Sequence, residues 1–129
     1  MLNMTVQNNR TNGVILWDPT YNDGTATFSV AETWPAGAVL GKLTATGKYV
    51  RFTPGAGDGS QTPIALLSQA VTSVGAGDVR IRPMISGKVR ASDLTNNAGG
   101  ALTAPQHDQL RDYTIIALAT TQLSQLDNQ

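Results

Sequence analysis

This sequence predicts a mainly β fold: a small barrel or sandwich with one short C-terminal helix and an extended N-terminal arm. Three observations carry that prediction. Short apolar or alternating runs recur at intervals of roughly ten residues, separated by glycine, proline and Asp-Gly breaks. A single stretch, opening at Thr103, carries helix-start chemistry. Residues 1–24 are rich in Asn and Thr and hold only one apolar island. The chain divides accordingly into an arm (1–24), a β-rich domain (25–118) and a polar tail (119–129), which is expected to fray.

The island is Val14, Ile15, Leu16 and Trp17, bounded by Asn12-Gly13 before it and the breaker Asp18-Pro19 after it. A short apolar strand with nothing local to bury against is marginal in water. It either folds back on the domain or belongs to an arm that orders on a partner. The β pattern starts at Thr25. Ala26, Phe28 and Val30 alternate with Thr27 and Ser29, as in a strand with one buried face. Val39-Leu40 lies between Gly37 and Gly41, and Tyr49-Val50-Arg51-Phe52 follows the turn signal Thr46-Gly47. The glycine-rich run from Gly55 to Ser60 reads as a loop, because so many glycines cost backbone entropy in any regular element. Ile64-Ala65-Leu66-Leu67 is continuously apolar, the mark of a strand buried on both faces. Val79 and Ile81 point inward and Arg80 and Arg82 outward, while Ser86-Gly87 splits Met84-Ile85 from Lys88-Val89 as a hairpin would. Asn96-Asn97-Ala98-Gly99-Gly100 is a loop. Thr103, Pro105 and Gln106 then supply a cap, a first-turn proline and a capping box for a helix through about Arg111. Tyr113-Thr114-Ile115-Ile116-Ala117-Leu118 closes the domain as a strand.

Composition narrows the function. At 129 residues the chain forms one domain large enough to fold without staples. It has no cysteine, so disulfide scaffolds, thiolate zinc sites and cysteine nucleophiles are excluded, and a single histidine excludes a multi-histidine metal site within one chain. Nine basic and nine acidic residues cancel, giving no global attraction to nucleic acid or an anionic membrane. Charged residues are only 14 % of the chain, against about a quarter in an ordinary soluble domain. That thin charge suits a protein that lives in an assembly. No run approaches the roughly 18 apolar residues of a membrane span, and the first ten residues lack the order of a secretion signal. The expected product is soluble and made in the cytoplasm.

No catalytic constellation emerges. His107-Asp108 stands without the Gly-x-Ser-x-Gly elbow of a serine hydrolase, and His107 reads as a solvated surface residue. Asp18, Asp23, Asp58 and Asp78 lie in loops without the spacing of a calcium cage, and Asp23-Gly24 and Asp58-Gly59 are turn pairs. Glu32, the sole glutamate, has no acidic neighbour in sequence. The loop from Gly55 to Gly59 lacks the Gly-Lys-Ser or Gly-Lys-Thr of a phosphate cradle. Catalytic residues, metal ligands and cofactors are therefore all expected to be none. Arg80, Arg82, Lys88 and Arg90 form a modest basic cluster on one predicted hairpin. It reads first as a solvated face, with contact to an acidic protein surface as its functional alternative. Trp34 reads as a core or subunit-interface residue. Trp17, in a polar segment, favours anchoring to a partner, because tryptophan is enriched at interaction hot spots.

The middle of the chain carries a resemblance. Trp34-Pro35-Ala36-Gly37-Ala38-Val39-Leu40-Gly41-Lys42 resembles the opening aG-x-x-LG segment of the head decoration proteins of lambda-like tailed phages. Gly47-Lys48-Tyr49, Gly57-Asp58-Gly59-Ser60, Ile64-Ala65-Leu66-Leu67, Met84-Ile85-Ser86-Gly87-Lys88-Val89, and Leu110 with Ile115-Ile116 follow in the family's order. Thr62-Pro63 departs from it, standing where glycine is often found. The resemblance implies a homotrimer on three-fold and quasi-three-fold sites of an expanded capsid, on the outer surface of the virion. Its partner would be the major capsid protein, which it would clamp against internal DNA pressure, with neither direct nucleic-acid contact nor a membrane. It further implies an N-terminal arm that orders on the coat, often by extending one of its sheets. Strand addition of that kind combines main-chain hydrogen bonds with pockets for alternate side chains. Val14, Ile15, Leu16 and Trp17 are the residues for that contact, with Ile15 and Trp17 on one face, and Arg80, Arg82 and Arg90 are secondary contacts. A virion-surface adhesion or glycan-binding module is the alternative, and it needs Tyr21, Trp34 or Tyr49 exposed. A small trimeric β hydrolase is a third class, disfavoured by the missing acid-base set.

Overall fold

Ten strands and one α-helix order residues 14–118, the part of the chain that the computed structural model describes. The strands are β1 (Ile15–Tyr21), β2 (Gly24–Phe28), β3 (Glu32–Trp34), β4 (Val39–Lys42), β5 (Tyr49–Arg51), β6 (Ala65–Leu66), β7 (Val71–Ser73), β8 (Gly77–Ile81), β9 (Met84–Arg90) and β10 (Ile115–Leu118). A 3₁₀ turn (Ala91–Asp93) follows β9, and helix α1 (Ala104–Arg111) precedes β10. The mainly β prediction holds, down to the single short helix. The principal sheet runs β1-β9-β6-β4-β5-β2-β8, with β10 attached to β9, and curls into a half-barrel.

The apolar sequences of β4 and β6 follow from their position in the middle of this sheet. Side chains on a strand alternate faces, and here both faces are covered. Val39 and Leu66 enter one core with Val14, Phe52, Met84, Val89, Leu94, Leu102, Leu110 and Ile115. Leu40, Ala65 and Leu67 enter a second core with Ala26, Phe28, Trp34, Ala38, Tyr49 and Ile81. Gly41 brings the loop after β5 tightly across β4, since a Cβ there would lie 2.7 Å from the Cα of Ser60. The helix forms where its signals stand. Thr103 Oγ1 accepts the Gln106 amide (3.4 Å), Gln106 Oε1 accepts the Thr103 amide (2.9 Å), and proline occupies the first turn. Leu110, its one buried residue, seals the first core.

Strands β2 and β3 on one side, and β7 and β8 on the other, form one long antiparallel ribbon. Gly24 pairs with Ile81 and Phe28 with Gly77; beyond a three-residue bend on each side, Glu32 pairs with Ser73 and Trp34 with Val71. The register is the same before and after the bend. This corrects the expectation for Val30, which does not continue the buried face of Ala26 and Phe28. It sits in the bend, 55 % exposed.

Two further expectations are corrected. Ser86-Gly87 makes no hairpin; β9 runs unbroken from Met84 to Arg90. Asp18-Pro19 does not end the apolar island. The strand continues to Tyr21, and Asp18-Pro19 forms a bulge between the pairs Trp17–Lys88 and Thr20–Ser86. An edge strand tolerates proline at a bulge, where no ladder donor is required. Asp18 adopts φ 57°, and the facing Gly87 adopts φ 135°, where a Cβ would lie 2.8 Å from the Asp18 carbonyl oxygen. Both signals the sequence displayed as breaks are thus one feature, a bulge packed against a glycine.

Candidate interaction surface

Strand β9 organises the end of the molecule at which the first and last described strands meet. β1 pairs antiparallel along one edge of β9, with Ile15 opposite Val89. β10 pairs parallel along the other, from Ile115 opposite Gly87 to Leu118 opposite Arg90. Val14 and Leu118, the two ends of the described chain, therefore lie at the same end of β9, flanking Arg90. The Arg90 amide donates to the Val14 carbonyl (2.8 Å), fixing the root of the N-terminal segment.

The predicted anchor residues divide within this frame. Val14 is 4 % exposed and packs in the first core, and Ile15 packs partly against it. Leu16 is half-buried. The backbone of Trp17 pairs with Lys88, while its side chain lies outside the described part of the structure, as do residues 1–13 and 119–129. β9 supplies the burial partner that the island lacked locally.

The basic residues do not form one cluster. Arg80 and Arg82 belong to β8 and the turn after it, whereas Lys88 and Arg90 belong to β9, and β6, β4, β5 and β2 intervene in the sheet. The hairpin that would have joined them is absent for that reason. Arg82 is exposed, 3.9 Å from Asp23 and stacked 5.7 Å over the Tyr21 ring. Arg90 Nε lies 3.4 Å from Asp93 and Lys88 Nζ 3.8 Å from Asp18. These are neutralised pairs, mostly at the surface, where each contributes little stability.

A cleft of about 520 Å³ opens elsewhere, between the ribbon and the loop after β5, lined among others by Phe28, Glu32, Trp34, Arg51, Asp58 and Asn97. Its polar groups face inward partners. Glu32 accepts from Trp34 Nε1 (3.1 Å), and Asp58 Oδ1 accepts from the Ser60 hydroxyl (2.6 Å) and amide (3.0 Å). The Ser60 hydroxyl and amide hold the Asp58 carboxyl below its ordinary range, which is turn chemistry, as the Asp-Gly pair predicted. Arg51 donates through Nη2 to Thr95 Oγ1 (3.2 Å) and to the Asn96 carbonyl, clamping the 95–97 loop. Burial lowers its pKa and the charge of Glu32 works the other way. Sequence reading passed over Arg51 as one residue of the Tyr49–Phe52 strand. The signal that could have found it is one cation amid Tyr49, Val50 and Phe52.

The other chemical candidates stay apart. His107 is half-buried rather than solvated, its Nε2 enclosed without a hydrogen-bond partner, and the neighbouring Asp108 lies 4.0 Å from Arg111. Among the described residues no three acidic or histidine side chains gather in metal-binding geometry, and no helix is long and apolar enough to cross a membrane. Trp34 and Tyr49 are buried at 2 % and 4 % exposure, Trp34 stacked on Phe28 with ring centroids 4.0 Å apart. That removes two of the three aromatic side chains the glycan-binding alternative required.

Comparison with known proteins agrees with the resemblance read from the sequence. The family model of bacteriophage lambda head decoration protein D matches residues 4–115. No curated protein matches the chain.

Proposed function

Because the chain belongs to the bacteriophage lambda head decoration protein family, we propose that it cements an expanded phage head, binding the major capsid protein from outside as a homotrimer at three-fold and quasi-three-fold sites. Clamping neighbouring coat subunits there resists the outward pressure of packaged DNA. The observation that supports the reading beyond family membership is that Val14 and Leu118, the ends of the described chain, lie together beside Arg90. The β1-β9-β10 end is the face turned to the shell. The segment before Ile15 reaches the coat from a root that Val14 holds in the core, with Leu16 and Trp17 flanking it. Three arms on one trimer act at high effective concentration, so weak individual contacts sum to firm attachment. The ordering of each arm is offset by capsid contacts, which lowers affinity per contact but lets one trimer span several coat subunits.

Cosedimentation with expanded, undecorated heads of the cognate phage tests this. The full chain is expected to pellet with heads to saturation. A chain starting at Val14 is expected to keep its fold and lose most of its binding. Equal binding by the shortened chain would place the capsid contact on the domain and remove the arm from the account.

A further inference from the structure

We propose that the cleft between the ribbon and the loop after β5 is a binding site for a guanidinium group, as carried by an arginine side chain of a partner segment. At about 520 Å³ the cleft falls within the roughly 300–1,000 Å³ that small-molecule sites occupy. Its chemistry is a pair of carboxylates beside an apolar wall. Glu32 and Asp58 supply the first, and Phe28, Trp34, Leu43 and Val50 the second. Both carboxylates are held in place from within. Trp34 Nε1 occupies Glu32 Oε2 at 3.1 Å, and the Ser60 hydroxyl and amide occupy Asp58 Oδ1 at 2.6 and 3.0 Å. Glu32 Oε1 and Asp58 Oδ2 keep no side-chain donor among the described residues. A ligand therefore meets acceptors that are already oriented, which lowers the cost of ordering them. Ser60 also holds the Asp58 carboxyl below its ordinary range, so it carries its charge at neutral pH.

The sign of the ligand follows from where the cations go. Arg51 is the one basic residue in the cleft wall, and it is engaged inside the fold. Its Nη2 donates to Thr95 Oγ1 and the Asn96 carbonyl, and its Nε is enclosed. Lys48 is paired with Asp78 at 2.6 Å, and Lys42 Nζ lies 5.1 Å over the Tyr49 ring. Residues 24–31, 33–41 and 59–77 contain no charged side chain, so the ribbon beside the cleft brings no further cation. Two exposed carboxylates thus stand against one internally bonded guanidinium, and an anion would be repelled. A divalent metal ion would need more oxygen ligands than this, since among the described residues no three acidic or histidine side chains gather. A guanidinium fits better than an ammonium. It is planar and weakly hydrated, pairs with carboxylates through two parallel N–H bonds, and lies flat against aromatic groups.

The test is titration of the full chain with N-acetyl-arginine amide, followed by NMR at the indole Nε1–H of Trp34, the group that donates to Glu32. N-acetyl-citrulline amide, the neutral isostere, is the charge control, and agmatine offers the same guanidinium off a peptide. The blocked arginine is expected to shift the Trp34 indole signal saturably, and the citrulline compound to leave it in place. Tighter binding of the blocked arginine than of agmatine supports a peptide side chain as the occupant. Equal binding of the two supports the guanidinium site and overturns the side chain as its source. Glu32→Gln and Asp58→Asn retain the oxygens that accept from Trp34 and Ser60, and thermal melts are expected to confirm their folds. Each is expected to weaken binding about fivefold or more, and Asp108→Asn, on helix α1 outside the cleft lining, to leave it unchanged. A Trp34 signal that stays in place, an equal response to citrulline, or undiminished binding by both cleft variants overturns the proposal.

Discussion

Val14 is the first residue of the described chain and already part of the core, and its truncation to alanine measures what that packing contributes. The side chain is 4 % exposed and shares a core with Val89, Leu94 and Ile115. Val14→Ala removes two buried methyl groups, at about 0.8 kcal/mol each for lost transfer. Incomplete collapse of the vacated space raises the total to about 2 kcal/mol. For a domain of this size about 1 kcal/mol moves the melting temperature by roughly 4 °C or more, so the expected drop is about 8 °C. The assay is thermal denaturation followed by circular dichroism, at fixed subunit concentration because oligomerisation contributes to apparent stability. Removing residues 1–13 is expected to leave the melting temperature unchanged, and removing residues 1–18 to lower it at least as far as Val14→Ala. An unaltered melting temperature in Val14→Ala would mean that β1 is not packed on β9 in solution, and the whole segment before Gly24 would return to the arm.

Gly87→Ala is expected to cost several kcal/mol, since φ 135° is strained for any other residue and the new Cβ would meet the Asp18 carbonyl oxygen at 2.8 Å; a near-wild-type denaturant midpoint would refute the bulge. Arg51→Lys, which loses the Nη2 bonds to Thr95 and Asn96, is expected to speed amide exchange at Asn97, whose N–H donates to the Phe52 carbonyl at 2.9 Å. Unchanged exchange there would show that the loop holds without the guanidinium. Lys48 Nζ, 2.6 Å from Asp78, holds that carboxyl below its ordinary value, as Ser60 does for Asp58. Both carboxylates therefore contribute stability that is complete above the unfolded value near pH 4 and fades as pH falls through the lower folded value. Carboxyl titration by NMR is expected to place both midpoints below about 3.9, and Lys48→Met to return that of Asp78 upward; an unmoved midpoint would contradict the ion pair.

The legible part of this fold was its local chemistry. Thr103 and Gln106 announced the capping box, the continuous apolar run at Ala65 and Leu66 announced burial on two faces, and Asp58-Gly59 announced a turn that Ser60 completes. What sequence reading missed depends on pairing between distant strands. Ser86-Gly87 looks like a hairpin until β1 is laid beside it, when the glycine is seen to admit the Asp18-Pro19 bulge. Val30 fits the alternation of β2, yet the ribbon bends after Phe28 and turns it outward. The arginines of β8 and β9 are near in sequence and separated in the sheet. Trp17 drew attention by residue type, whereas the property that decides the geometry of its segment is the burial of Val14, three residues earlier in the chain.

Imaging of expanded heads incubated with the full-length protein, by cryo-electron microscopy, tests the central claim most directly. The account predicts trimeric density on the outer shell at three-fold and quasi-three-fold positions, with the β1-β9-β10 end of each subunit turned to the coat and the N-terminal segments running onto it. Bare shells at saturating protein, or subunits seated with that end facing away from the coat, would contradict it.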